Sequence, residues 1–192
     1  MRILLAAAAT ALAMVPTAQA DTYIGLYGGW NQSDVISVPF VDRQAGHVVG
    51  GVFGTTTGIP GLRFEADISF RQNEVDILGG FLNADHDTTA LMGNVVYDLP
   101  FGIGPITPYV LAGVGYANTQ ATFEDVALLR LEASGVAWQV GGGLNTSISG
   151  VTVGIGYRML QAPELDPLAG FGLPELSDGT NHSVVAEMRF AL

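Results

Sequence analysis

Arg63, Glu65, Asp67 and Arg71 fall at alternate positions of one ten-residue segment, with Ser69 completing the series. The positions between them hold Leu62, Phe64, Ala66, Ile68 and Phe70. Successive side chains of a β-strand point to opposite faces, so an extended backbone here carries one ionic face and one apolar face. Cations and anions on a common face support guanidinium–carboxylate pairing, the strong form of hydrogen bond. Four further ionisable residues, Asp98, Arg158, Glu187 and Arg189, occupy the polar phase of other alternating segments. The eight together comprise four arginines and four acids. A buried charge is costly unless paired and hydrogen-bonded, and balanced numbers are what a self-satisfying network requires.

Other chemistry has weaker footing in the sequence. His182-Ser183 invites the reading of a lipid hydrolase, but adjacent strand residues point to opposite faces and do not easily meet. Lipid hydrolases of that kind carry the His and Ser with an intervening residue and an acidic partner to orient the base, whereas here the two are adjacent. His47 and His86 lack ligand spacing, and the chain has no cysteine, which removes disulfides and thiolate metal sites. No catalytic residue, metal site or cofactor is assigned. The acids Glu74, Asp76, Asp85, Asp87, Glu124, Asp125, Glu132, Glu164, Asp166, Glu175 and Asp178 fall in predicted loops, with Arg130 among them. Carboxylates can hold divalent cations, but no regular cation-loop spacing is present, so these read as a solvated acidic surface. Apolar stretches 77–82, 126–129 and 168–173 share the loops and read as a self-packed cap or as a contact surface for a partner.

These residues must be positioned by strands. Eight candidates are legible: Thr22–Gln32, Gly46–Gly54, Leu62–Gln72, Thr88–Leu99, Ile106–Asn118, Gly135–Thr146, Val151–Leu160 and His182–Leu192. Each is close to the length that a tilted strand needs to cross a bilayer. The gaps between them alternate: about 13, 15, 16 and 21 residues for the odd gaps, about seven, six and four for the even ones. Outer-membrane barrels alternate in this way, with long extracellular loops and tight periplasmic turns. An even strand number puts both ends on the periplasmic side. Trp138, Val140 and Leu144 oppose Gln139 and Asn145; Ile155 and Tyr157 oppose Arg158; Met188 and Phe190 oppose Glu187 and Arg189; Val95 and Tyr97 oppose Asn94 and Asp98. The first two segments are glycine-rich and their faces are not assigned. Glycines 113, 115, 141, 143, 154 and 156 fit an interior only wide enough for side chains. Trp30, Tyr97, Trp138 and Tyr157 are candidates for an interfacial aromatic girdle.

The start of the chain reads as a secretory signal: Met1-Arg2, an apolar run from Ile3 to Met14, and Ala18-Gln19-Ala20 as a cleavage site. The apolar run is too short for a bilayer-spanning helix, which needs about 20 residues. Residues 1–20 are expected to be removed, leaving 21–192 as one barrel domain. The chain is 48% hydrophobic and only 13% charged, which suits a membrane protein that crosses by strands. Without Arg2 it carries six arginines, no lysine and 18 acids, about −12 in all. Nucleic-acid binders show basic patches, so a nucleic-acid partner is excluded. The predicted fold is an all-β, eight-stranded antiparallel up-and-down transmembrane β-barrel, with apolar faces toward lipid and ionic faces toward the axis. A soluble lipocalin-like carrier would invert those faces.

The segments Tyr23–Trp30, Leu62–Arg71, Asn94–Asp98, Pro108–Tyr116 and Gly156–Arg158, with the closing strand, resemble the OmpA/OmpX-like eight-stranded outer-membrane barrels. The likeness is strongest to the opacity-family porins and related surface antigens, and it covers most of the chain after the signal. It implies the bacterial outer membrane, with surrounding lipid and lipopolysaccharide. It also implies a structural, envelope-integrity or adhesin-like role, with a host or cell-surface ligand at the loops. The family's usual terminal aromatic is read by the barrel-assembly machinery; here Phe190 precedes a terminal Leu192 by two positions. No peptidoglycan-binding segment follows the barrel strands, so wall anchoring of the OmpA type is not expected. The alternatives kept are a narrow porin-like diffusion channel and, behind it, a lipid A-modifying hydrolase.

Overall fold

The computed structural model describes residues 21–35, 41–43, 46–77, 82–123, 129–163 and 177–192. The expected signal segment, 1–20, lies outside them. The described residues form strands β1 (Thr22–Val35), β2 (Val41–Arg43), β3 (Gly46–Thr56), β4 (Leu62–Ile77), β5 (Leu82–Asp98), β6 (Ile106–Phe123), β7 (Leu129–Ile148), β8 (Val151–Gln161) and β9 (Ser177–Ala191). All pairings are antiparallel. β2 lies against the far end of β4 and extends the stave begun by β3, so the nine pieces build eight staves. β1 pairs with β9 and the β4–β5 pairing completes the ring, leaving a closed barrel.

Register fixes the strand tilt. From Tyr23 the cross-strand partners run Gly54, Glu65, Asn94, Gly113, Gln139, Leu160 and Asn181, and return to β1 at Ser33, ten positions along. With strands about 4.8 Å apart and about 3.3 Å of rise per residue, that stagger tilts eight strands by about 40°. Because the stagger is even, every residue on this circuit shares the inner face.

Burial follows the alternation. In β4, Arg63, Glu65, Asp67, Ser69, Arg71 and Asn73 are buried, while Phe64, Ile68 and Phe70 are exposed. Leu26, Trp30, Val114, Val136, Ile155 and Val184 are likewise exposed apolar residues on the outer wall. The glycine-rich staves resolve the same way. Tyr23, Tyr27, Asn31 and Ser33 face inward on β1, and Val48 and Val52 on β3. Gly50 and Gly54 make room for this, because a Cβ at either would collide with the ring of Tyr27 or Tyr23. The β7–β8 turn is Ser149-Gly150, both with positive φ (51° and 85°), as a two-residue hairpin turn of the right twist demands.

All eight predicted strands are present, and their starts at the short-turn end match the sequence reading closely. At the other end the strands run on. β4 and β5 remain paired to Ile77 and Leu82, and β6 and β7 to Phe123 and Leu129. Glu74, Asp76, Asp85, Asp87, Arg130, Glu132 and Asp178 therefore belong to strands, not to loops as expected. Once two strands are paired, each further residue adds ladder bonds, so pairing runs on beyond the length that a bilayer crossing needs. Glu124, Asp125, Glu164, Asp166 and Glu175, and apolar residues 78–81, 126–128 and 168–173, lie outside the described residues.

Candidate functional site

The barrel lumen holds the ionic residues in two tiers. In the tier nearest the short turns, Arg63 grips Asp98 through two parallel bonds, Nε to Oδ2 at 2.8 Å and Nη2 to Oδ1 at 3.0 Å. The third nitrogen, Nη1, donates to Glu65 Oε1 at 2.7 Å and to the Tyr23 hydroxyl at 2.8 Å. Tyr23 in turn donates to Glu65 Oε1 at 2.6 Å. Arg189 stands 4.0 Å from the same carboxylate oxygen and lies over the Tyr23 ring. One carboxylate is thus shared by two arginines and a phenol, an arrangement that spreads its charge over several donors.

The second tier is centred on Arg158, which is 2% exposed. Its Nη1 donates to Asp67 Oδ2 at 2.6 Å and its Nη2 to Glu187 Oε2 at 3.4 Å. The guanidinium lies 4.0 Å from the centre of the Tyr27 ring, and the Tyr27 hydroxyl donates to Asp67 Oδ1 at 2.8 Å. Asn94 donates to Asp67 at 3.5 Å and is itself held by Gln139 Nε2 at 2.6 Å. This tier ties β1, β4, β5, β7, β8 and β9 together across the axis. Interior charges with this many partners escape the worst of their desolvation cost.

Seven of the eight ionic candidates meet in these tiers: Arg63, Glu65, Asp67, Asp98, Arg158, Glu187 and Arg189. Arg71 does not join them; it faces inward higher in the lumen and donates from Nη1 to Ser69 Oγ at 2.7 Å. Tyr23 and Tyr27 are the partners that the sequence reading missed. Their signal was the alternation of β1 itself, in which Tyr23, Tyr27 and Asn31 oppose Ile24, Leu26 and Trp30.

Above the ionic tiers the lining turns neutral. Asn31 donates to Asn73 Oδ1 at 3.1 Å and to Asn181 Oδ1 at 3.0 Å, and accepts from Ser183 at 2.6 Å. Ala90, Met92, Ala117, Ala137, Leu160 and Ala162 form an apolar cluster on the opposite wall. At the short-turn end the lumen opens as a cavity of about 500 Å³, lined in part by Arg63, Asp98, Asn145 and Arg189.

Trp30, Tyr97, Trp138 and Tyr157 all point out of the barrel. Tyr97 is near the short turns, and the other three are nearer the loops. His182 also faces outward, with the Tyr157 hydroxyl 2.5 Å from its Nδ1. Ser183 faces inward on Asn31, so the wall of the barrel separates the two side chains of the hydrolase reading. His47 is exposed on the outer face and His86 buried on the inner one, and among the described residues no group of acids and histidines is arranged to hold a metal ion.

Residues 3–167 match the family model of the outer membrane protein beta-barrel domain. The chain belongs to this family. It is an outer-membrane β-barrel of the bacterial envelope. Similar folds are found in Neisserial surface protein A (14% identity, TM-score 0.66, 91% of this chain and 100% of that one). A major outer membrane protein of Thermus thermophilus is similar as well (8%, 0.66, 91% and 100%). So is Ail, the attachment invasion locus protein of Yersinia pestis, solved with the heparin analogue sucrose octasulfate (11%, 0.54, 90% and 100%). At such identities the likeness is one of fold. Among curated protein sequences, none matches this chain.

Proposed function

We propose that the protein is a closed structural barrel that supports envelope integrity and presents its loop end for surface contacts, and that the ionic tiers plug the lumen. The observation that carries this reading is the Arg158 bridge. A cation bonded to acids from β4 and β9, and stacked on a ring from β1, spans the axis where a solute would have to pass. Catalysis has no support, since the imidazole and hydroxyl of His182-Ser183 lie on opposite sides of the wall. Trp30, Trp138 and Tyr157 would mark the extracellular interface and Tyr97 the periplasmic one, as amphipathic rings do. Residues 1–20 would act as the export signal, and the closing strand would be the part read by the assembly machinery.

Ail is named for attachment, and its structure holds a sulfated ligand. A contact surface at the loops of the present barrel is proposed by analogy of architecture. Its excess of acids over arginines favours basic or divalent-bridged partners over a polyanion. The cavity at the short-turn end supports a second reading, a narrow diffusion channel in which small solutes pass through the barrel around the Arg158 tier. A deletion strain assayed together for leakage of periplasmic markers, detergent sensitivity and binding to host cells or phage tests the first reading. Leakage or lost binding supports it, and a strain unchanged in all three assays overturns it. Liposome swelling with small sugars tests the second.

A further inference from the structure

Of the three histidines, His86 alone is enclosed by the barrel. It lies on the loop-side extension of β5, beyond the crossing segment that begins at Thr88. It is 5% exposed, and neither ring nitrogen has a hydrogen-bond partner. A neutral imidazole left this way forgoes hydrogen bonds, which is a modest loss. A protonated one would be a buried cation, which is a far larger one. Burial accordingly pushes His86 below the ordinary histidine value.

Its surroundings offer no compensating charge. The rung partners of His86 are Asn73 on β4 and Ala121 on β6. The charged residue that β4 buries in this half of the lumen is Arg71, itself a cation, and Arg43 of β2 is the rung partner of Val75, in the same phase. The acids of β4 and β5 at this end, Glu74, Asp76, Asp85 and Asp87, fall in the opposite phase of the alternation. β6 carries no acid, and Glu132 of β7 is exposed and bonded to Asn118. Across the lumen the buried side chains are Asn31 and Ser33 of β1, Leu160 and Ala162 of β8 and Asn181 of β9, all uncharged.

The Asn73–His86 rung is close to the end of the ladder. Beyond it β4 and β5 are joined by Glu74–Asp85, Val75–Ala84, Asp76–Asn83 and Ile77–Leu82. Parting these rungs brings His86 to water and leaves the ionic tiers intact, and a local opening of this kind costs less than global unfolding.

We propose that His86 is an acid-released latch on the loop end of the barrel: neutral, it lets the ends of β4 and β5 stay paired, and protonated, it drives them apart and opens the surface end of the lumen. The group is held neutral in the closed form and is free to charge in the open one. Closure is therefore at full strength above the free histidine value, about 6.5, and is lost by up to about tenfold per pH unit below it. The latch is independent of whether the ionic tiers plug the lumen.

The test uses the full refolded barrel in detergent micelles. Amide hydrogen-exchange protection is compared at about pH 7.5 and about pH 5.5, both above the range near 4 where ordinary carboxylates titrate. Protection over residues 73–77 and 82–86 should fall by up to about tenfold at the lower pH, while that around Arg63 and Arg158 holds. In His86→Gln, which keeps a polar side chain that cannot charge, the two values should agree. Followed by NMR, the His86 imidazole should titrate below that of the exposed His47. No fall in the unaltered protein, a fall that survives in His86→Gln, or a His86 that titrates together with His47 each overturns the proposal. If His86→Gln does not fold, the two measurements on the unaltered protein decide.

Discussion

In the half of the lumen nearest the short turns, Arg63, Arg158 and Arg189 form ion pairs of 2.6–4.0 Å with four carboxylates, and two tyrosines are stitched between them. In the half nearest the loops, Asn31, Asn73, Asn181 and Ser183 form a neutral network, and Arg71 bonds Ser69 and, among the described residues, no carboxylate. Both halves face the same problem, polar groups enclosed by a wall whose outer side is apolar. Their solutions have different consequences. Paired charges lose a great deal when one partner is removed, because the other is left as a bare ion. Amides and hydroxyls lose only a hydrogen bond or the desolvation of a neutral group. The short-turn half should therefore be the brittle part of the barrel and the loop half the tolerant part.

The sharpest way to break that contrast is Arg158→Met. It strands Asp67 and Glu187 together and should cost about 3–5 kcal/mol or more, read from urea unfolding in micelles. A loss below about 1 kcal/mol would mean that water already screens the tier as it does surface pairs. Next in size is a change on the outer wall, Ile155→Arg, expected to cost about 2–4 kcal/mol if that residue lies near the bilayer midplane. Comparison with Arg158→Met then separates the effect of adding a charge outside from that of losing one inside. Gly54→Ala forces the Tyr23 ring aside and weakens its bond to Glu65, and a cost of about 1–3 kcal/mol is expected from overpacking. The smallest effect belongs to the neutral half: Asn31→Ala should cost about 1–2 kcal/mol. If Asn31→Ala proves as damaging as Arg158→Met, the division into brittle and tolerant halves fails.

Much of this molecule was legible from period-two alternation. Leu62–Arg71 shows both faces directly, and Ser149-Gly150 marks its turn. The ionic partners were legible as a set, because charges in the same phase of closed strands have nowhere to go but the axis. Their exact pairing was not, since it depends on a stagger of ten that no local pattern encodes. Arg158 reaches Asp67 across 91 positions of sequence. Arg71 shows the limit: its alternation matches that of Arg63, but the stagger sets it above the acids. The face of β1 could be read from Tyr23, Tyr27 and Asn31, whereas β3 alternates glycine with valine on the buried side and gives no contrast. The strand ends near the loops were misplaced because composition turns acidic there while backbone pairing continues.

Single-channel recording in a planar bilayer tests the plugged lumen most directly. Purified barrel, inserted at known density, is expected to give no stable steps of porin size across a wide range of voltage and salt. Stable, large, ohmic steps from the unaltered protein would contradict it, because the Arg158 bridge could not then span the path that the ions take.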